Sequence, residues 1–327
     1  MKKLAHQGAP PAGPAACLAE PRTGPQAPGG KTRGRSEGLF LRQGVRTGRS
    51  VHRSFAEQAE AVPLFPAVVY RGMELRYREL NLEANRVARR LAERGVGRGQ
   101  LVALAAEPSP ALLTGLLGIL KSGAACLLDD TGILTEGPDI RGFSGAAVGM
   151  VTPGRRDAVL SDKAAGGMEW LILDDGLLLE GEAPEAMVAV EAGDEAVVCC
   201  RPSSLGPRVT RLSHGTLYEA CRNEIAASGI TSSDSAVWST ACGSAAFVRS
   251  ALPFVMAGAD VHLLSPDVVE DLPALHRYLG LGGITAAFLP EEACASLLAQ
   301  GRLSLRHLFA GGQRWKRLEL PARRQGC

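Results

Sequence analysis

The chain has 327 residues and a formal net charge of +2, with 46% hydrophobic and 21% charged residues. These proportions predict a soluble globular protein with one large or two ordinary domains, and they exclude a disordered chain, a collagen and a coiled coil. The longest apolar run, 111–120, is interrupted by Thr114, Gly115 and Gly118. A bilayer span needs about 20 apolar residues, so no membrane segment is expected.

The eight cysteines give no sign of a metal site. They form neither a C-x-x-C pair nor the Cys/His spacing that is typical of structural zinc. No apolar signal-peptide segment follows Met1. We therefore expect a cytoplasmic protein whose cysteines are reduced and serve as buried, small apolar residues.

The first residues differ in composition from the rest of the chain. Residues 1–50 carry nine Lys or Arg against two acidic residues, and 15 of them are Gly or Pro. Residues 1–48 are therefore expected to form a flexible basic arm ahead of one globular region, 49–327. A basic arm can contact nucleic acid, but Phe40 is its one aromatic residue and no nucleic-acid module follows, so a solvated linker is favoured.

The elements predicted for the first half of the globular region alternate between strand and helix after an initial helix and a hairpin. They are helix 50–59, strands 67–70 and 74–77, helix 79–94, strand 101–104, helix 110–121 and strand 124–128. Such alternation predicts a parallel α/β layer. Residues 130–167 are glycine-rich and weakly patterned, and no element is assigned to them.

A second alternating series follows. It consists of strands 170–173 and 196–200, helix 214–227, strand 236–238, helix 246–257, strand 260–264, helix 273–279, strand 285–289, helix 291–300 and strand 308–309. The whole is predicted to be an α/β protein with two successive layers, the second incomplete, and with a subdomain change near 190–215. Within this series Ser213 is expected to cap the helix that His214 begins. A hydrolase triad around His214 is disfavoured because no Gly-x-Ser-x-Gly elbow is present.

Two stretches of the first half resemble the core motifs of a known family. Residues 75–81 read Leu-Arg-Tyr-Arg-Glu-Leu-Asn, and residues 120–126 read Leu-Lys-Ser-Gly-Ala-Ala-Cys. They resemble the first two motifs of the adenylation domains of nonribosomal peptide synthetases, which are AMP-forming acyl- and aminoacyl-adenylating enzymes. The resemblance implies the N-terminal part of the adenylate-forming fold, with 49–327 as a partial adenylation domain. Both motifs are structural in that family and perform no chemistry.

The resemblance also implies a phosphate-binding loop at 201–209. Such a loop uses glycines and hydroxyl residues so that backbone N–H groups can face an anion. Ser204, Gly206 and Pro207 match the family pattern, and Arg208 stands where the family has Lys. A guanidinium can hold phosphate oxygens as well as an ammonium can.

Other positions of this loop depart from the pattern. Ser203 and Val209 replace glycines, Leu205 replaces a hydroxyl residue, and Pro202 removes one N–H donor. Two interpretations stay open: a degenerate ATP-binding loop, and a surface loop between a strand and a helix. The lost donors favour the surface loop.

Substrate-binding positions implied by the resemblance are also altered. Amino-acid-activating members carry an Asp that pairs with the substrate ammonium group, and its position here is Ala245, in a segment between Ser235 and Gly258 without any carboxylate. Recognition of a free α-amino group is therefore in doubt. Gly311 and Gly312 resemble the border of the acyl pocket, although Gln313 stands where a Glu is common, and a plain tight turn explains them equally well.

The expected function is that of a truncated, degenerate adenylation domain. The resemblance implies ATP and Mg²⁺ as cofactors, a small carboxylic or amino acid as substrate, and carrier-protein or synthetase subunits as partners. The family's adenine-stacking segment, ribose-binding Asp and catalytic Lys have no counterpart before Cys327, so no catalytic residue is assigned and the chain alone is expected to be inactive. The alternatives are a non-catalytic interaction module and a relic fragment of a synthetase.

Overall fold

The computed structural model describes residues 49–128, 146–161, 168–173, 187–201, 208–239, 244–281, 283–300, 305–311 and 315–320. The basic arm predicted for residues 1–48 lies outside these ranges. The helices in the described ranges are α1 (Val51–Ala61), α2 (Tyr77–Ala92), α3 (Pro110–Lys121), α4 (Pro153–Leu160), α5 (His214–Ser228), α6 (Ser244–Ala257), α7 (Pro266–Glu270), α8 (Leu272–Leu281) and α9 (Glu291–Gln300).

The strands form two sheets. Their bounds are β1 (Pro66–Tyr70), β2 (Met73–Arg76), β3 (Leu101–Ala105), β4 (Ala125–Leu128), β5 (Val148–Val151), β6 (Glu169–Ile172), β7 (Glu195–Arg201), β8 (Arg208–Ser213), β9 (Ser235–Ser239), β10 (Asp260–Leu264), β11 (Ala286–Leu289), β12 (His307–Gly311) and β13 (Trp315–Leu318). Sheet one has the order β13-β12-β11-β9-β10-β1-β2, and sheet two has the order β6-β5-β3-β4-β7-β8. Most neighbours are parallel; the antiparallel pairs are β1–β2, β7–β8 and β12–β13.

The predicted α/β class with two layers is confirmed, and one element crosses between the two halves of the sequence. Strand β1 pairs in parallel with β10, with Val68 opposite Val261. The first hairpin thus forms one edge of sheet one, whose other strands come from residues after 234. Local sequence patterns carry no information on pairing between distant strands. The pairing of the hairpin with β10 therefore emerges only from the structure.

The two motifs that suggested the family are joined by a buried polar contact. Lys121, at the end of α3, is 0% exposed. Its Nζ donates hydrogen bonds to Oδ1 of Asn81 at 2.7 Å and to Oδ1 of Asn85 at 2.6 Å, both on α2. A buried ammonium is stable only where oxygen acceptors replace its hydration shell. The second motif therefore requires Asn81, the last residue of the first motif, and Asn85, one turn further along α2.

Tyr77 fixes the first motif to the second half of the chain. Its ring is completely buried and stacks on Phe55 of α1, with ring centroids 5.7 Å apart. The phenol lies 2.8 Å from the carbonyl oxygen of Ala259 and 3.0 Å from that of Val255. Val255 lies in the last turn of α6 and Ala259 lies two residues beyond the helix, so Tyr77 hydrogen-bonds to carbonyls at the helix end.

Helices α2 and α3 approach closely at Gly118. A Cβ atom on this glycine would lie 2.3 Å from Cγ1 of Val87 and 2.9 Å from the backbone oxygen of Ala84. We expect Gly118→Ala to lower the free energy of unfolding by about 1–3 kcal/mol, since the backbone of α2 must shift to admit one methyl group. Urea unfolding of the full chain measures the change. Gly193→Ala, where no atom lies within 4 Å of the added carbon, is the control; equal stability of the two variants would contradict the close approach.

Three cysteines in the described ranges, Cys126, Cys221 and Cys294, are buried and free. Burial raises the pKa of the Cys221 and Cys294 thiols to about 12. These thiols therefore stay protonated near neutral pH and pack as small apolar groups. Among the helices that the structure describes, none has the length and apolar character needed to cross a bilayer.

Candidate functional site

The carboxyl ends of three parallel strands of sheet one lie side by side. Phe288 of β11 is the register partner of Trp238 of β9 and of Phe309 of β12, and Leu289 pairs with Ala310. The connection after β9 leads to β10 on one side, and the connection after β11 leads to β12 on the other. Ligands bind at such a switch point of an open α/β sheet, so this edge is the candidate acid-binding site.

The floor of this edge is a rigid aromatic ladder. The rings of Trp238 and Phe309 both stack on Phe288, each with centroids 4.4 Å apart. Helix α6 covers the ladder, since Phe247 and Phe254 make edge contacts with Trp238. The indole Nε1 of Trp238 donates to Ser250 at 2.7 Å. Successive residues point to opposite faces of a strand, so Ser239, Leu289 and Ala310 face away from α6.

Ala245 lies in the first turn of α6, directly after this edge, and is 7% exposed. The resemblance predicts that an amino-acid-activating domain has Asp here. From Ser235 to Ser239 and from Ser244 to Gly258 the described chain carries no carboxylate. The edge therefore offers no anionic partner from these segments to a substrate ammonium group.

Gly311 is the last residue of β12 and has a φ angle of 136°, a conformation that favours glycine. It thus borders the same edge, after Ala310. Gly312, the second residue predicted for the border of the acyl pocket, lies outside the described ranges. A tight turn explains this positive φ. Gly311 can therefore be either a turn glycine or part of the border of the acyl pocket.

The predicted phosphate loop connects β7 to β8. Arg201 and Arg208 are register partners at the end of this antiparallel pair, so Arg208 begins β8. Ser204, Gly206 and Pro207 lie outside the described ranges. Pro202 and Pro207 have no N–H group, so the six residues 202–207 offer four backbone donors. Backbone N–H groups are the donors by which such a loop binds an anion.

Ser213 caps α5 as predicted: its side-chain oxygen accepts from the backbone N–H of Thr216 at 3.2 Å. The neighbouring His214 is 1% exposed and meets His52 of α1 edge to face, with ring centroids 5.3 Å apart. Within the described ranges neither ring nitrogen of His214 has a hydrogen-bond partner.

Burial keeps both histidines neutral. It lowers the pKa of His52 to about 3, where the charges of His214 and Lys121 act in the same direction. It lowers the pKa of His214 to about 4, against a smaller opposing effect of Asp194. Asp194 itself pairs with Arg98, and that guanidinium lowers the pKa of the carboxyl. No local pattern reveals the histidine pair, because the two residues lie on helices that are far apart in the sequence.

The described ranges contain no group of three or more His, Cys, Asp or Glu side chains that could hold a metal ion. The carboxyl edge of sheet one and the β7–β8 connection are the two candidate parts of the site.

Comparison with known proteins agrees with these features. The family model described as AMP-binding enzyme matches residues 55–136. Bacitracin synthase 1 of Bacillus licheniformis is 30% identical over 269 residues, which cover 82% of this chain and 5% of that protein. The chain therefore spans a small part of this curated relative.

Two solved structures share the fold. A nonribosomal peptide synthetase, FmoA3, in its AMPPNP-bound form has a TM-score of 0.65 at 21% identity, covering 84% of this chain and 32% of that one. O-succinylbenzoate coenzyme A synthetase from Bacillus subtilis, in complex with AMP, has a TM-score of 0.67 at 18% identity, covering 79% of this chain and 67% of that one. The chain belongs to the AMP-binding enzyme family, among the adenylation domains of the nonribosomal peptide synthetase type that its core motifs predicted.

Proposed function

We propose that this chain supplies the acid-binding edge and a weak phosphate loop of an adenylate-forming unit, and that the acid it takes has no free α-amino group. The reaction would be the ATP-dependent activation of a carboxylic acid as its adenylate, with synthetase or carrier-protein subunits as partners. Ala245 carries the proposal, since it stands at the carboxyl edge of sheet one where an amino-acid-activating domain has a carboxylate.

Burial of an ammonium group without an acceptor costs free energy. An ammonium group that leaves water for a site without an acceptor loses its hydration, and an unmatched charged group is costly. A carboxylic acid that lacks the amino group avoids this cost while its apolar body contacts the same residues. The chain should therefore prefer an acid over the amino acid of the same shape.

Binding of matched pairs tests this preference. We expect 3-phenylpropanoate and hexanoate to bind the full chain about tenfold or more tightly than phenylalanine and norleucine, measured by calorimetry. Ala245→Asp should remove or reverse the preference, whereas Ala245→Asn, with the same shape and no charge, should keep it. Equal binding of acids and amino acids by the natural chain would contradict the proposal.

Nucleotide binding is tested separately. With four backbone donors in the loop, we expect Mg-ATP to bind with a Kd on the order of 1 mM, and Arg208→Ala to weaken it by about tenfold or more. Arg211→Ala is the matched control, because Arg211 lies three residues further along β8 and pairs with Glu195 at 2.8 Å. An equal loss in both variants would argue against a specific role of Arg208.

A second candidate function is a non-catalytic interaction module within a larger synthetase. The replacement of two glycines and one hydroxyl residue in the loop favours it, since each change removes part of the phosphate cradle. The Mg-ATP titration described above distinguishes the two candidate functions. Absence of heat with millimolar Mg-ATP would leave the interaction module as the better proposal.

A further inference from the structure

A second ligand site is suggested by a cavity of about 420 Å³ at the carboxyl edge of sheet two. The cavity lies where β3 and β5 end, and the connections from these neighbouring strands lead to opposite sides, to β4 and to β6. This is the switch point of sheet two, the position at which open α/β sheets bind ligands. Its volume lies within the range of small-molecule pockets. The acid-binding edge described above belongs to sheet one.

The walls of this cavity are mainly apolar. They come from the first hairpin and from the start of α3, and they include Val68, Tyr70, Leu75, Ala111 and Leu173. Met73 stands at the edge of the cavity and is 70% exposed. The cavity is therefore open to solvent at the hairpin and closed by buried side chains at the sheet, which suits a ligand with an apolar body.

A carboxylate stands inside this apolar cavity without a basic partner. Glu107 is half-buried in the loop after β3 and accepts a hydrogen bond from the Thr152 hydroxyl at 2.6 Å. In the part of the chain that the structure describes, no lysine or arginine forms an ion pair with Glu107. A carboxylate in apolar surroundings gains from a cation that completes its hydrogen bonds.

The charges around Glu107 also favour a cation. The described lining residues include three glutamates, Glu74, Glu83 and Glu107, and no lysine, arginine or histidine. The N-termini of α3 and α4 meet the cavity at Ser109 and Thr152, and each contributes about half a positive charge. Among the described lining residues the fully charged groups are thus all acidic. Glu83 accepts from Thr114 at 3.2 Å.

The other large cavity differs in the state of its charges. It lies at the amino ends of the strands of sheet two, and its lining includes Asp194, Glu195 and Arg211. These groups are already paired, Arg211 with Glu195 and Asp194 with Arg98. The charged groups in its lining therefore already form ion pairs and do not favour a charged group on a ligand.

We propose that the cavity between the first hairpin and the ends of β3 and β5 binds a small primary amine with an apolar body, whose ammonium group pairs with Glu107. The apolar body contacts Val68, Leu75 and Ala111, and the ammonium donates to the carboxylate oxygens. The site does not depend on the acid or nucleotide chemistry proposed above. It gives the domain a means to sense or hold an amine apart from the adenylating site.

The test uses three probes of one shape, hexylamine, hexanol and hexanoate, titrated into the full chain. We expect hexylamine to bind about tenfold or more tightly than hexanol, and hexanoate, which the acid-binding edge takes, to bind Glu107→Gln and the natural chain equally well. Glu107→Gln keeps an oxygen for the Thr152 hydroxyl and should weaken hexylamine by about tenfold or more with hexanol unchanged. Glu270→Gln, on exposed α7, is the matched control and should change neither.

Two further measurements test whether the amine binds in this cavity and whether the site is separate from the acid-binding edge. Met73→Trp narrows the mouth of the cavity at an exposed position, so it should weaken the amine and the alcohol together without affecting folding. Unchanged hexanoate binding in Glu107→Gln, measured beside the weakened hexylamine binding, separates this site from the acid-binding edge. Equal affinity for hexylamine and hexanol, or full hexylamine affinity in Glu107→Gln, would overturn the proposal.

Discussion

Replacing Lys121 by methionine is expected to lower the free energy of unfolding by about 2–4 kcal/mol. Methionine preserves the length and apolar stem of the lysine but donates no hydrogen bond. The side-chain oxygens of Asn81 and Asn85 then lose the donor that lies 2.7 and 2.6 Å away. Asn85 is 3% exposed, so water cannot replace the lost contact without local opening. Urea unfolding followed by circular dichroism measures the midpoint and the slope.

The control for this change is the same substitution on the surface. Lys316→Met lies on an exposed position of β13 and should shift stability by about 0.5 kcal/mol or less. The double variant Lys121→Met with Asn85→Leu should be more stable than Lys121→Met alone, because removing both partners leaves fewer unsatisfied polar groups. Stability of the Lys121 variant equal to that of the Lys316 variant would show that the buried contact contributes nothing.

Stability is also expected to fall between pH 6.5 and pH 4.5 because of the histidine pair. The pKa is about 3 for His52 and about 4 for His214 in the folded chain, against an ordinary value of 6.5 in the unfolded chain. In this window the unfolded chain takes up protons that the folded chain excludes. The free energy of unfolding should therefore decrease by about 1.4 kcal/mol per pH unit for each histidine as the pH falls.

This window separates the histidines from the carboxyl groups. The pKa values of Asp194 and Asp234 are lowered below their ordinary 3.8, so their stabilising effects are lost only at more acidic pH. His214→Leu, which breaks no hydrogen bond of the ring, should reduce the slope by about 1.4 kcal/mol per pH unit. His276→Leu on α8 is the control. An unchanged slope in the His214 variant would show that this ring is not the group that resists protonation.

The sequence predicts the elements better than their assembly. Periodicity and glycine stops place α2, α3 and the strands around them within a few residues, because these signals are local. The same rules leave 130–167 without assignment, where the structure has β5 and α4. They also treat Lys121 as an ordinary basic residue at a helix end. Its burial depends on two asparagines from another helix, which no local pattern reveals.

The candidate site is predictable to a similar degree. Ala245 and Arg208 are assigned by resemblance alone, and their roles stay predictions. Glu107 is missed, although one signal exists: it lies two residues after Ala105, the buried end of β3, and such positions meet at the ligand-binding edge of a parallel sheet. The histidine pair and the cavity depend on packing between helices and hairpin, so they emerge only from the folded chain.

The pairing of β1 with β10 also fixes the order in which the chain can fold during synthesis. The first hairpin leaves the ribosome early, yet the strand that covers its inner edge, residues 260–264, is made only after sheet two is complete. Until then Val68 and its neighbours present an unpaired apolar edge. Folding of sheet one must await the second half of the chain, and long-range pairing of this kind is slow. Until residues 260–264 are made, the hairpin therefore exposes an edge that can pair with strands of other chains.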